Sequence, residues 1–300
     1  STSRRQRQMC IRDRATFDSF KGIDIALFAG GSISKDFAPH AVKAGAVVID
    51  NSSAFRMDPE VPLVVPEVNP QAILKHKGII ANPNCSTIIM VMALKPIYDL
   101  AKIKRVIVST YQAVSGAGKE GIDELDAQVR DHSEGREMTA NILPSASAEK
   151  HYPIAFNLIP QIDVFCDNLY TKEEMKMVNE TKKIMEDYEM RITATTIRVP
   201  VYRSHSESVN IELEKEVDLG AMREALAKFP GVTVQDDPSK QEYPMPLYTS
   251  EKDDVYVGRL RRDESCEKSY NIWVVGDQIR KGAALNTLQI AETMIKNGWI

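Results

Sequence analysis

The 300-residue sequence predicts an α/β unit followed by an α+β unit. Three observations predict it. Short apolar runs alternate with amphipathic stretches up to about residue 130, strand-like runs dominate from 193 onward, and one amphipathic helix closes the chain. The run Ile23–Phe28, closed by Gly30-Gly31-Ser32, reads as a buried strand entering a helix over Ser34–Lys43, which stops at Gly45. A second strand, Ala46–Ile49, ends at Asp50-Asn51-Ser52-Ser53. Further strand-like runs are Leu63–Val65, Ile79–Ala81 and Ile103–Thr110. Alternation of this kind argues for a parallel sheet flanked by helices, with ligands beyond the carboxyl ends of its strands.

His132–Asp163 is rich in Pro, Ser and polar residues and reads as a long ordered excursion or lid. Thr171–Tyr188 reads as a helix with a Thr171/Glu174 capping box and an apolar stripe of Met175, Val178, Met185 and Tyr188. Strand-like runs follow at 193–199, 207–213, 254–260 and 270–275, around a Pro-rich loop from Asp236 to Tyr248. Gly282–Asn297 is the closing helix, with Leu285, Leu288, Ala291 and Ile295 on one face.

Apolar residues make up 43% of the chain, a globular balance that excludes disordered and collagenous classes. No run of about 18 apolar residues, the length of a membrane span, occurs. The net charge of −4 gives no pull toward nucleic acid. Cysteines at 10, 85, 166 and 266 form no CxxC pair, so neither a disulfide framework nor a zinc cluster is expected, and a reducing cytoplasm fits. Residues 1–14 carry five arginines and almost nothing apolar, and read as a non-native segment set apart from the fold.

Asn82-Pro83-Asn84-Cys85-Ser86-Thr87 lies between a strand and an apolar helix, Ile88–Leu94. Cys85 would occupy the first helical turn, where orphan amides and the positive dipole end favour a thiolate and hold an oxyanion. The alternative is an inert buried cysteine. In Arg198-Val199-Pro200-Val201-Tyr202-Arg203-Ser204-His205 a Pro-containing loop presents an arginine suited to carboxylates and a histidine suited to proton transfer. Taken alone, that segment reads as a surface loop with a solvated histidine. Tyr111–Gly118 follows a strand and offers small residues for close ligand approach. Glu173 and Lys176, by spacing alone, are a solvated ion pair, and Arg56 a surface arginine leaving the carboxyl end of a strand. His40, His76, His132 and His151 read as surface residues, and no pair has metal-ligand spacing.

Together, NPNCST, YQAVSGAG, the RVPV-to-His205 loop, DNSSAFR and GDQIRKGAALNTLQIAE resemble the bacterial aspartate-semialdehyde dehydrogenase family over roughly residues 15 to 300. The resemblance implies an incomplete Rossmann-like dinucleotide-binding domain (15–84 and 281–300) and a catalytic and dimerisation domain on a mixed or antiparallel sheet (85–280). It implies NADPH-dependent reductive dephosphorylation of β-aspartyl phosphate through a cysteine thioester, in lysine, threonine and methionine biosynthesis. Cys85 matches the nucleophile, His205 the acid/base that shuttles the proton, and Gln112 the residue orienting substrate and thiol. Arg198 matches the α-carboxylate anchor, Glu173 the group facing the substrate amino group, and Arg56 and Lys176 the phosphate site. Gly30, Gly31, Ser115, Gly116 and Asn286 match positions near NADP. A cytoplasmic homodimer or homotetramer, with no metal, is implied.

One departure stands out. The family opens with a strand, a Gly-rich turn and a helix holding the pyrophosphate, whereas the only glycine here before residue 30 is Gly22. About forty residues of the pattern are missing, so weak NADPH binding is expected, with Ile23–Phe28 exposed as a sheet edge. Alternatives are an N-acetylglutamyl-phosphate reductase-like enzyme or another phosphorylating aldehyde dehydrogenase, a Cys/His hydrolase, and a non-catalytic dimerising remnant.

Overall fold

The computed structural model describes residues 15–300, so the Arg-rich segment and Cys10 lie outside the described residues. Strands β1 (Ile25–Phe28), β2 (Val47–Asp50) and β3 (Ile79–Ala81) form a parallel sheet in that order, with helix α1 (Ser34–Lys43) between the first two. At the carboxyl end of β2, Asp50 is fully buried and accepts hydrogen bonds from Ser34 Oγ (2.8 Å) and Ser52 Oγ (2.6 Å), tying α1 and the following loop to the strand. Among the described residues β1 pairs only with β2, so it is a sheet edge, as expected. It is not a buried strand, however: only Ala26 is buried and Leu27 is 48% exposed, because nothing described covers its other side. Leu63–Val65 gives one bridge, Leu63 to Ala81, rather than a strand, because Pro62 and Pro66 flank it and supply no ladder N–H.

The second sheet has six strands in the order β5-β4-β6-β9-β8-β7. They are β4 (Ile103–Gln112), β5 (Arg191–Arg198), β6 (His205–Leu213), β7 (Val232–Val234), β8 (Val255–Arg262) and β9 (Ser269–Gly276). The β4–β5 and β7–β8 pairs are parallel and the rest antiparallel, so the sheet is mixed. Helix α2 (Cys85–Leu100) is buried at every position from Ser86 to Leu94, as its all-round apolar sequence demands, and forms the centre of the main core with Val106, Val108, Val209, Ile211 and Val274. Helix α3 (Lys119–Ser133) anchors the long excursion through fully buried Gln128, which bonds the backbone at residues 139, 154 and 155. Helices α4 (Lys172–Ile184) and α5 (Leu219–Lys228) complete the layer, α5 and β7 being elements the apolar pattern does not announce.

The capping box at Thr171 is present, but the buried face of α4 is Glu173, Glu174, Met177, Glu180, Thr181 and Ile184, not the expected Met/Val/Tyr stripe. Tyr188 is 68% exposed. The glutamates are buried because each finds donors on other elements. Helix α6 (Leu285–Asn297) returns to the first sheet, where Ile290 and Met294 pack with Ile49, Val64, Ile73 and Ile80. Its inward face also carries Asn286 and Thr287, while Leu288 and Ile295 of the expected face point outward. A π-helical turn, Arg280–Ala284, leads into α6, and the inward face is set by the partners of Asn286, the Val64 carbonyl and Asn82.

Candidate active site

The ends of β4, β5 and β6 set three side chains in a row. Gln112 closes β4 opposite Arg198, which closes β5, and His205 opens β6 just beyond the Tyr111–Ser206 pair. The amino end of α2 lies over that row. Asn84 is its N-cap, its side-chain oxygen accepting from Thr87 N–H (3.1 Å), so Cys85 is the first helical residue. Cys85 Sγ lies 3.5 Å from His205 Nε2. On the far side of the imidazole, the Ala113 backbone N–H donates to Nδ1 (3.1 Å).

Helix α4 contributes a polar face at i, i+3 and i+7. Glu173 accepts from Asn84 Nδ2 (2.9 Å), Gln112 Nε2 (3.2 Å) and Lys176 Nζ (3.1 Å), and Lys176 also reaches Asp163 (3.1 Å). Glu173 is therefore buried, with Lys176 half-buried beside it, and the pair is shared with the cap of Cys85. Glu180 joins the Asn84 backbone N–H (2.6 Å) to the Arg56 guanidinium (3.2 Å). Arg56 also donates to the carbonyls of Asn82 (2.9 Å) and Asn51 (3.1 Å). Its loop is held by Lys183, whose ammonium donates to the carbonyls of Arg56, Asp58 and Val61. Arg198 is 4% exposed, gives Nη1 to the Ala113 carbonyl (2.7 Å) and keeps Nε without a partner. Such an unpartnered buried donor is costly unless a ligand meets it.

A cavity of about 590 Å³ opens on these groups, lined by Cys85, Gln112, Arg198, Glu173, Lys176 and Arg56 and, toward the first sheet, by Asn51, Ser53, Ser115, Gly116, Gln278 and Ala283. Gly116 is required by space: a Cβ there would lie 2.7 Å from Arg198 Nη1 and 3.4 Å from His205 Cε1. Gly282, in the π turn, packs on Cys85, where a Cβ would come within 3.0 Å of the Cys85 Cβ. Beside it Lys281 is buried in a closed ring with Glu67 (2.6 Å), Gln289 (2.6 Å) and Asn286 (3.0 Å). Gly30 and Gly31 sit at the carboxyl end of β1, Gly31 with a left-handed φ of 62°, outside the cavity lining. Asn286 also lies outside it, its amide spent on the Val64 carbonyl (3.0 Å) and Asn82 Oδ1 (2.7 Å), where it braces the loop before Cys85.

The electrostatics correct one expectation. Burial, then the Glu173 carboxylate, push the Cys85 thiol up to about 12, outweighing Arg56, the Ser86 amide and Arg198. Burial and then Arg198 push His205 down to about 3. Both shifts favour neutral thiol beside neutral imidazole over the thiolate that the helix terminus alone suggests, because desolvation outweighs the helix dipole. For Glu173 burial acts to raise the value. The Lys176 charge and the bonds from Asn84, Lys176 and Gln112 overcome it and hold the carboxylate at about 2. Glu180, Lys183, Asp163, Gln278 and Gly282 escape sequence reasoning. The one signal that could have found Glu180 is its i+7 spacing from Glu173 on one helix face.

A thiol against an imidazole, between a three-stranded parallel sheet and a mixed sheet, has the layout of a thiol-dependent dehydrogenase built on a dinucleotide-binding domain. Models of the semialdehyde dehydrogenase NAD binding domain and dimerisation domain match residues 2–76 and 94–281. The chain belongs to the aspartate-semialdehyde dehydrogenase family. It is 58% identical over 286 residues to the enzyme of that name from Aquifex aeolicus, covering 94% of this chain and 82% of the relative. It is 54% identical over 284 residues to that of Bacillus subtilis, with the same coverage of each. The crystal structure of aspartate semialdehyde dehydrogenase II from Vibrio cholerae superposes with a TM-score of 0.86 at 48% identity, over 91% of this chain and 80% of that one. The protein is an oxidoreductase with a nicotinamide-dinucleotide domain and a dimerisation domain. Among the described residues no helix is long and apolar enough to cross a membrane.

Proposed function

We propose that the chain converts β-aspartyl phosphate and NADPH to aspartate semialdehyde, phosphate and NADP through a Cys85 thioester. The reaction would serve lysine, threonine and methionine synthesis in a cytoplasmic homodimer or homotetramer. The observation that carries the reading is the Cys85–His205 contact (3.5 Å) at the floor of a cavity whose wall holds an arginine with an unpartnered buried Nε.

Arg198 would take the substrate α-carboxylate, since a planar guanidinium with a free edge suits a carboxylate. Glu173, ionised and in the same wall, would take the α-ammonium, and Gln112 would fix the distance between that group and sulfur. Arg56 and Lys176 would face the phosphate. The amino end of α2 favours negative charge on the acyl oxygen as sulfur adds. Dinucleotide would take the other half of the cavity, where the lining is small and polar and Gly116 has no side chain, with weak binding expected because the Gly-rich pyrophosphate turn of the family is missing. Ser115, Gly116 and Gln278 would border the nicotinamide and Gly30 and Gly31 the more distant part, while Asn286 supports from behind. When bound, that group supplies the hydride. The chain's residues hold the acyl carbon, exclude water and stabilise charge.

Two alternatives are weaker on specific grounds. An N-acetylated substrate brings no ammonium to meet the ionised Glu173. A thiol hydrolase has no use for the cations Arg56 and Lys176, which line the same cavity as Cys85 and suit a phosphate. The test is oxidation of aspartate semialdehyde with NADP and phosphate, followed by absorbance. Phosphate-dependent turnover that disappears in Cys85→Ser is expected. Phosphate-independent turnover, or preference for N-acetylglutamate semialdehyde, refutes the reading.

A further inference from the structure

We propose that Ser204 and Thr249 are positioning residues for His205: their paired hydroxyls hold a left-handed turn that fixes the angle at which the histidine enters β6. The inference deepens the function proposed above and rests on it for the reaction assayed. It is independent of which way a proton passes between ring and sulfur.

The ladder between β6 and β9 begins at His205, opposite Gly276. One residue earlier, Ser204 has a φ of 68°. That conformation is costly for a residue with a Cβ and persists only where its surroundings impose it. Ser204 is wholly buried, so water reaches none of its polar groups. Its N–H lies beyond the end of the ladder and donates to the Gln278 side-chain oxygen instead (2.9 Å). Its hydroxyl lies 3.0 Å from that of Thr249, which is buried at the end of the short turn Pro246–Thr249. Among the described residues Thr249 is the one hydrogen-bond partner of the Ser204 hydroxyl.

The residues before Ser204 are pinned as well. The Val201 carbonyl accepts from Val114 N–H (2.8 Å), the Tyr202 carbonyl accepts from the Ser115 N–H (3.3 Å) and hydroxyl, and Arg203 pairs with Asp277 (2.9 Å). Gln278 Nε2 donates to that same Ser115 hydroxyl, so one side-chain amide brackets the turn and the segment after β4. His205 is the first inward residue of β6, in line with Val209 and Ile211 of the core. The ladder holds it from the carboxyl side, and the Ser204 turn holds it from the amino side. Without the Thr249 hydroxyl, a buried hydroxyl is orphaned on a strained residue, and the turn relaxes toward an ordinary φ. The Cα–Cβ direction of His205 turns with it. The Cys85–His205 contact of 3.5 Å has little tolerance for that, since a misplacement of about 1 Å can cost about 10²-fold in rate.

Phosphate-dependent oxidation of aspartate semialdehyde by the full chain tests this. Neither Ser204 nor Thr249 lines the cavity, so Thr249→Val should leave KM for semialdehyde, phosphate and dinucleotide in place while kcat falls at least ~10-fold. Thr249→Ser keeps the hydroxyl and should restore kcat. Added to His205→Ala, Thr249→Val should slow the residual reaction by no more than about 2-fold, because no imidazole is left to aim. Should Thr249→Val fail to fold, Ser204→Gly carries the same test, since a φ of 68° suits glycine and the clamped hydroxyl is gone. It should show the same fall in kcat and the same indifference in His205→Ala. An unchanged kcat, no rescue by Thr249→Ser, or an equal fall with and without His205 overturns this inference alone. A wild type with no phosphate-dependent turnover overturns the reading beneath it.

Discussion

Gly116→Ala crowds Arg198, the proposed substrate anchor, from the side where dinucleotide is proposed to bind. Gly116 has no left-handed backbone conformation, so the substitution adds no strain of its own and acts through space alone. The new methyl would stand 2.7 Å from Arg198 Nη1 and 3.4 and 3.5 Å from His205 Cε1 and Nε2. Ordinary contact begins near 3.5 Å, so the guanidinium must retreat by several tenths of an ångström. Its bond to the Ala113 carbonyl, 2.7 Å long, is the first to stretch. Loss of one hydrogen bond to a charged group costs about 1.5–3 kcal/mol, or roughly 10- to 100-fold in kcat/KM. The assay is phosphate-dependent oxidation of aspartate semialdehyde. KM for the semialdehyde should rise, KM for phosphate should hold, and the melting temperature should move little. Unchanged KM for the semialdehyde, or an equal rise for phosphate, refutes the assignment of Arg198.

Two further outcomes follow from the charges. Because burial holds the Cys85 thiol up to about 12, alkylation of Cys85 by iodoacetamide, read by peptide mass to separate it from the other cysteines, should accelerate steadily with pH and show no plateau near neutrality. A plateau near pH 7 would mean a thiolate–imidazolium pair. Glu173, held at about 2 against an ordinary 4.5, stabilises the fold when ionised; that contribution is whole above pH 4.5 and is lost as pH falls through 2. The melting temperature of Glu173→Gln should therefore lie furthest below wild type at neutral pH and converge on it in acid, and a gap independent of pH would refute the account.

Much of the fold is legible because local signals agree with it. The helix expected at Ser34–Lys43 has those bounds, and Cys85 lies in the first turn of its helix as expected. Legibility fails where polar side chains go inside. On α4 an apolar count selects Met175 and Val178, yet Glu173, Glu174 and Glu180 are buried by partners 22 to 124 residues away. On α6 the same count selects Leu288 and Ile295, whereas Asn286 goes inward because Val64 and Asn82 wait for it. No window of neighbouring residues contains those partners. The protonation of Cys85 is hidden for the same reason: the helix terminus is visible in the sequence, and the long-range burial that outweighs it is not.

The passage from β9 to α6 carries a mechanical implication. Asp277, fully buried, grips Arg203 (2.9 Å) and the amides of Glu251, Ile279 and Arg280, so the stretch is riveted to the six-stranded side. Four residues on, Lys281 is riveted to Glu67 on the three-stranded side, and Gly282 rests directly on Cys85. The link between the two sheets therefore passes taut against Cys85, and the seat of the sulfur is set from both sides at once.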